Sequence, residues 1–221
     1  MTELKHSFIS IDGSYGGNQM RSGKENMRVC GCGVISSADL LIYLARFHSA
    51  CSPSPIPDAL REDIISLQDY DAFCLRLSHA YLPLIPRHGI NGLALVAGLN
   101  AYFLRHAMPF RASWGARRRE LFPRIEELLS RDIPVILSIG PNFPRFWEKE
   151  RTSLYVRYPD GASRPASSVK SHFVTVTGID GDWLRVSSWG KQYFISRAEY
   201  ERYTREHSSA VLCSIVNIRQ K

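Results

Sequence analysis

The sequence predicts an α+β fold, with helices filling about the first 131 residues and strands most of the remainder. Three observations carry this expectation. Apolar residues recur at helical spacing in successive stretches between Val34 and Ser130. From Ile133 onward the apolar runs shorten to strand length and are rich in Val, Ile, Phe and Tyr. An Asp180-Gly181 pair separates two such β-rich runs, a strong hairpin signal of the type I′ kind. No linker composition interrupts the chain, so residues 1–221 read as one domain, with a mainly helical lobe to about residue 131 and a mainly β lobe from about residue 132.

Residues 1–29 are rich in Gly, Ser and Asn and read as irregular, with a turn at Gly16-Gly17-Asn18-Gln19. Val34–Phe47 reads as a helix in which Ser36, Asp39, Tyr43 and Arg46 form one polar stripe and nearly everything else is apolar. A helix of that composition belongs in the middle of a domain. Pro53, Pro55 and Pro57 end the region. Further helices are expected at Ser66–Leu82, Gly92–His106 and Arg117–Ser130. Pro134–Ile139 and Leu154–Tyr158 read as strands, separated by a loop, Pro141–Glu150, that carries Phe143, Phe146 and Trp147. Such aromatics suit either a substrate cleft or burial against the helices. Residues 159–170 read as an exposed loop. His172–Ile179 and Asp182–Ser188 form the hairpin, and Gln192–Ile195 and Ala210–Ile218 complete the sheet around a short helix at Arg197–Arg205.

The 221 residues, 44% of them hydrophobic, suffice for a substantial core. No apolar run reaches the roughly 18–20 residues that span a bilayer, and Met1–His6 lacks the basic-then-apolar order of a secretory signal. The expectation is a soluble, cytoplasmic protein with no membrane partner. The five Cys, at irregular spacing, argue against a disulfide framework, and their pattern matches no zinc site, so no metal is expected. The net charge of +7 would suit an anionic partner, but the basic residues are scattered. Their only tight run, Arg117-Arg118-Arg119, reads as a solvated helix start, and no nucleic-acid partner is expected.

Two residues stand out chemically. Cys32 lies at the start of the Val34–Phe47 helix, where backbone N–H groups and the helix dipole favour a thiolate. Cys30, which also precedes a Gly, is a rival nucleophile whose plainer role is loop packing. His172 opens a strand of interior character. With the hairpin centred on Asp180-Gly181, Val174 would face Ser187 and His172 would face Trp189, giving His172 a hydroxyl and an indole on one sheet face. That arrangement suits an oriented, shielded general base. His79, His88 and His106 have no acidic residue at hydrogen-bonding spacing and read as structural.

Cys32-Gly33 followed by Val34-Ile35-Ser36-Ser37-Ala38-Asp39-Leu40-Leu41-Ile42-Tyr43-Leu44 resembles the nucleophile helix of papain-like cysteine peptidases, closest to the bacterial double-glycine-leader (C39-like) branch. His172–Gly178 resembles that family's His-bearing strand, and Val186-Ser187-Ser188-Trp189-Gly190 its Asn-Ser-Trp-Gly segment. The resemblance implies a papain-like architecture, in which a central buried nucleophile helix packs against an antiparallel β-sheet lobe. It implies Cys32 as nucleophile, His172 as base and Ser187 as third member where the family has Asn or Asp. The family's oxyanion-hole Gln lies about six residues before the Cys, a position held here by Asn26. Gln19, or Asn18, could supply that amide if residues 20–31 loop back. The expected function is a thiol amide hydrolase acting on a peptide or protein substrate without a cofactor. The alternatives are an inactive peptide-binding module of the same fold and an acyltransferase using the same Cys–His pair.

Overall fold

The computed structural model describes residues 1–49, 51, 56–115 and 120–221. Pro53 and Pro55, and the Arg117-Arg118-Arg119 run, lie outside the described residues.

The chain opens with three two-residue strands, β1 (Thr2–Glu3), β2 (Ser10–Ile11) and β3 (Ser14–Tyr15). A 3-10 turn at Gln19–Arg21 and a short helix, α1 (Glu25–Cys30), follow. Helix α2 (Cys32–Phe47) starts immediately after Gly31, which closes α1 and opens α2. Every residue of α2 from Gly33 to Ala45 is buried. The stripe residues Ser36, Asp39 and Tyr43 therefore point into protein, where buried polar groups need partners. Along the stripe, Asp39 Oδ1 accepts from the Tyr70 hydroxyl (2.6 Å) and the Tyr43 hydroxyl donates to Asp132 Oδ1 (2.5 Å), while Arg46, near the helix end and only partly buried, pairs with the exposed Asp63 (3.0 Å).

Strand β4 (Ile64–Ile65) leads to α3 (Leu67–Ala80) and α4 (Gly92–Arg105). Both helices start where a side chain can cap them. The Ser66 hydroxyl accepts from the Asp69 N–H (3.1 Å), and Asn91 Oδ1 accepts from the Ala94 N–H (2.9 Å). Strand β5 (Phe110–Trp114) and helix α5 (Leu121–Ser130) complete this part of the chain.

The remaining elements are β6 (Val135–Ile139), β7 (Thr152–Arg157), β8 (Ser163–Val169), β9 (His172–Asp180), β10 (Trp183–Ser188), β11 (Lys191–Ser196), α6 (Arg197–Glu206) and β12 (Val216–Gln220). A seven-stranded antiparallel sheet runs in the order β1-β9-β10-β11-β7-β8, with β6 alongside the first half of β9. Strand β9 is buried from His172 to Ile179 because α2 and α5 pack on it. The mixed architecture of helices and antiparallel sheet expected from the sequence is present. Among the described residues, no helix is long and apolar enough to cross a membrane.

Three expectations need correction. Residues 163–169, expected as loop, form β8 at the sheet edge. An edge strand with mostly exposed side chains has no apolar alternation to reveal it, and it tolerates Pro165. The segment near the C-terminus does not join the large sheet. Instead β12 pairs with β5 in a separate two-stranded sheet, linked to β6 by a single Leu137–Ile215 bridge. The hairpin register also differs. Asp180 pairs with Trp183, so the two-residue loop is Gly181-Asp182, with Gly181 at φ 57°. The register then slips between Arg185 and Val186, whose partners are Gly178 and Val176. This leaves Thr177 as an extra residue on β9, and Ser187 faces Thr175 rather than Val174. A one-residue slip exchanges the faces of every later side chain.

Candidate functional site

The site forms where the N-terminus of α2 meets the start of β9. Cys32 is the first residue of α2 and is partly buried. Its helix can approach the sheet because Gly33 carries no side chain. A Cβ there would lie 2.6 Å from Ile90 Cγ2 and 3.3 Å from the Phe173 ring. Burial pushes the Cys32 thiol pKa up, while the backbone N–H groups of Phe173 and Gly33 oppose that rise by favouring the thiolate. Phe173 follows His172 directly, so the thiol sits beside the strand that carries the imidazole.

His172 is buried, and its Nε2 lies 2.8 Å from the Ser188 hydroxyl. Trp189 stacks on the ring at 4.8 Å between centroids. Burial lowers the imidazole pKa to about 4, so the ring is neutral at neutral pH. Among the described residues Nδ1 makes no hydrogen bond, and none joins the thiol directly to the ring.

The structure brings Gln19, Cys32, His172 and Ser187 to the lining of one small recess, together with Ser188 and Trp189. The contacts within it differ from the sequence expectation at one point. Ser187, expected to steer the imidazole, instead donates to the Tyr15 carbonyl (2.9 Å). Ser188 meets the ring in its place. The reason is the Thr177 bulge, since without that extra residue Ser187 would share the His172 face. Trp189 is not a ladder partner of His172. It occupies, with Gly190, the two-residue turn between β10 and β11, both at positive φ (51° and 72°), and reaches the ring from there.

Gln19 comes back to Cys32 because residues 20–31 coil into the 3-10 turn and α1 rather than running straight. Its Nε2 donates to the Arg28 carbonyl (2.9 Å), leaving the second amide hydrogen free of any partner among the described residues. Neither Asn18 nor Asn26 lines the recess. Asn18 Oδ1 caps the 3-10 turn through the Met20 N–H (3.0 Å), and Asn26 Oδ1 accepts from the Cys30 thiol (3.1 Å). Cys30 itself closes α1, with its sulfur 3.1 Å from the Asn26 carbonyl, and it does not line the recess.

Two further polar side chains, Ser36 and Asp39, line the recess, and the sequence motifs assign them no role. They lie four and seven residues after Cys32, the spacing that returns to the same helix face, and that signal could have found them. The aromatic loop is exposed, with Phe146 and Trp147 66% and 77% accessible. It leaves the sheet beside the site, since Ile139 pairs with His172 and the Ser171 N–H bonds the Gly140 carbonyl (3.2 Å).

No protein-family model and no curated protein matches the chain. A solved structure does. The crystal structure described as a "putative C39-like peptidase from Bacillus anthracis" superposes with a TM-score of 0.52 at 13% sequence identity, over 100% of both chains. The chain therefore shares the fold of that C39-like protein.

Proposed function

We propose that the protein is a cysteine-dependent amide hydrolase of the peptidase type, with a papain-like arrangement of its site. The observation that carries this reading is the convergence, in one recess, of a thiol at a buried helix N-terminus and a shielded, hydroxyl-bonded imidazole on the adjoining strand. The shared fold with a C39-like protein supports it.

With Nε2–H donating to Ser188, Nδ1 is the basic nitrogen. Burial disfavours charge on both partners in the resting site, so the proton passes from Cys32 to His172 as the sulfur attacks the substrate carbonyl. The Cys32 N–H and the free Gln19 amide hydrogen stabilise the oxyanion. Collapse breaks the C–N bond, His172 returns the proton to the leaving amine, and an acyl-Cys32 thioester remains. Neutral His172 then takes a proton from water, which attacks the thioester and releases the acid and the thiol. The exposed aromatic loop beside His172 supplies an apolar surface for substrate side chains.

Brief treatment with iodoacetamide at neutral pH, followed by peptide mapping, tests the choice of nucleophile. Cys32 should be labelled ahead of Cys30, Cys51, Cys74 and Cys213, all four of which are buried. Preferential labelling of Cys30 would displace the nucleophile, and no preference at all would point to a non-catalytic module.

A further inference from the structure

Asp39 lies two helical turns along α2 from Cys32 and is 1% exposed. Its carboxyl accepts from the Tyr70 hydroxyl of α3 (2.6 Å to Oδ1) and from the backbone N–H of Gly17 (3.1 and 3.2 Å to the two oxygens). Among the described residues it makes no ion pair, and an unpaired buried carboxyl is costly to keep. What it holds is the segment that carries Gln19. That segment is gripped from the other side by the β10–β11 turn. The Tyr15 N–H donates to the Gly190 carbonyl (2.9 Å), the Gly190 N–H to the Gly17 carbonyl (2.9 Å), and Ser187 to the Tyr15 carbonyl. The packing leaves no room for side chains. A Cβ on Gly17 would fall 1.9 Å from the Tyr70 hydroxyl oxygen, and one on Gly16 would fall 2.3 Å from Ser187 Oγ and 2.8 Å from Asp39 Oδ2.

We propose that Asp39 is a positioning residue for Gln19: by holding the Gly17 N–H it fixes the segment that aims the Gln19 amide at the carbonyl oxygen of a bound substrate. The inference rests on the hydrolase reading above. The Gln19 side chain has the Arg28 carbonyl as its hydrogen-bond partner, so its aim depends on the backbone beneath it. The titratable groups around Asp39 are Tyr70 and Cys74 of α3, Tyr15 of β3, and Cys32 and His172 across the recess. Burial raises the Asp39 carboxyl to about 7. Ionised, it accepts from both the N–H and the O–H. Protonated, one oxygen becomes a donor and the hold on Gly17 loosens. Positioning therefore tightens as pH rises through about 7.

Two electrophiles separate this role from a general effect on the thiol. Iodoacetamide forms an S–C bond as iodide leaves and develops no oxyanion. A short peptide aldehyde, acetyl-Gly-glycinal, takes the sulfur on its carbonyl carbon. The C=O π bond opens, and the thiol proton ends on the oxygen, which lies in the oxyanion position. Asp39→Asn should weaken aldehyde binding about tenfold at pH 8, less than it would be weakened by loss of a whole oxyanion donor. The difference from wild type should shrink at pH 6, and alkylation of Cys32 should stay within about twofold. Tyr70→Phe, which removes one partner of Asp39, should act in the same direction with smaller size, and it carries the test if Asp39→Asn does not fold. Unchanged aldehyde binding in the variants, or equal losses with both reagents, overturns the inference alone. Failure of the wild-type protein to capture the aldehyde overturns the hydrolase reading and this inference with it.

Discussion

His172 Nε2 lies 2.8 Å from the hydroxyl of Ser188, one residue beyond the serine that regular pairing would place beside it. The exchange follows from one extra residue, Thr177, on β9. It assigns the two adjacent serines different tasks. Ser188 hydrogen-bonds the imidazole, and Ser187 ties β10 to Tyr15.

Ser188→Ala should therefore slow capture of electrophiles at Cys32 by several-fold to about tenfold, the effect of about 1 kcal/mol at the imidazole. Ser187→Ala should leave the alkylation rate of Cys32 unchanged and lower stability by about 1 kcal/mol through the lost bond to Tyr15. Ser187→Asn adds atoms against Gly16, where a Cβ would already lie 2.3 Å from Ser187 Oγ. It should destabilise by about 1–3 kcal/mol through overpacking, without raising reactivity. Alkylation kinetics and urea denaturation of the three variants check these outcomes.

Two buried groups set opposing slopes of stability against pH. The His172 pKa is lowered from 6.5 to about 4, so its contribution is fully present above pH 6.5 and is lost as pH falls through 4. That difference corresponds to about 3 kcal/mol. The Asp39 pKa is raised from 3.8 to about 7, so its contribution is present below pH 3.8 and is lost as pH rises through 7, by about 4 kcal/mol. Relative to wild type, His172→Gln should gain stability as pH is lowered from 6.5 to 4, and Asp39→Asn should gain it as pH is raised from 4 to 8. Denaturation midpoints across that range give the measurement. Parallel profiles for wild type and both variants would contradict the assigned environments.

Gly33→Ala should destabilise despite the better helix propensity of Ala, which favours the change by about 1 kcal/mol. The added Cβ would sit 2.6 Å from Ile90 Cγ2, 3.1 Å from Leu95 Cδ1 of α4 and 3.3 Å from the Phe173 ring of β9, and relieving those contacts shifts the start of α2. A net loss of about 1–2 kcal/mol is expected. Thermal denaturation reads the stability, and slower capture at Cys32 would accompany it.

Much of this arrangement was legible in the sequence because its signals are local. The apolar girth of α2, the helical spacing of apolar residues in α3 and the Asp180-Gly181 punctuation each act within a few residues. The elements they predict are present, most of them to within two residues. The edge strand β8 was not legible because its side chains face solvent and carry no pattern. The β5–β12 pairing was missed because the two strands lie about a hundred residues apart and nothing local announces it. The bulge was hidden for a different reason. Strand β9 is buried on both faces, so its residues do not alternate, and a one-residue slip leaves no trace in composition. Gly178, within the strand, was the one hint available. For the site, the sequence indicated which elements would supply thiol, imidazole and hydroxyl. It could not say which of two adjacent serines would face the ring, and it gave no weight to the carboxyl of Asp39.

The proposed function has Cys32 and His172 acting together on a bound electrophile. The most direct test uses a peptidyl epoxysuccinate, whose ring oxygen must gain a proton as the sulfur opens the ring, so that an ordinary thiol reacts slowly. Intact-protein mass spectrometry and peptide mapping should show one adduct, on Cys32, in the wild-type protein. Cys32→Ser should form none, and His172→Ala should slow capture by about a hundredfold, the low end of what a positioned general acid–base contributes. Capture at the same rate in wild type and His172→Ala, or no capture at Cys32 in the folded wild-type protein, would rule out a Cys32–His172 catalytic pair.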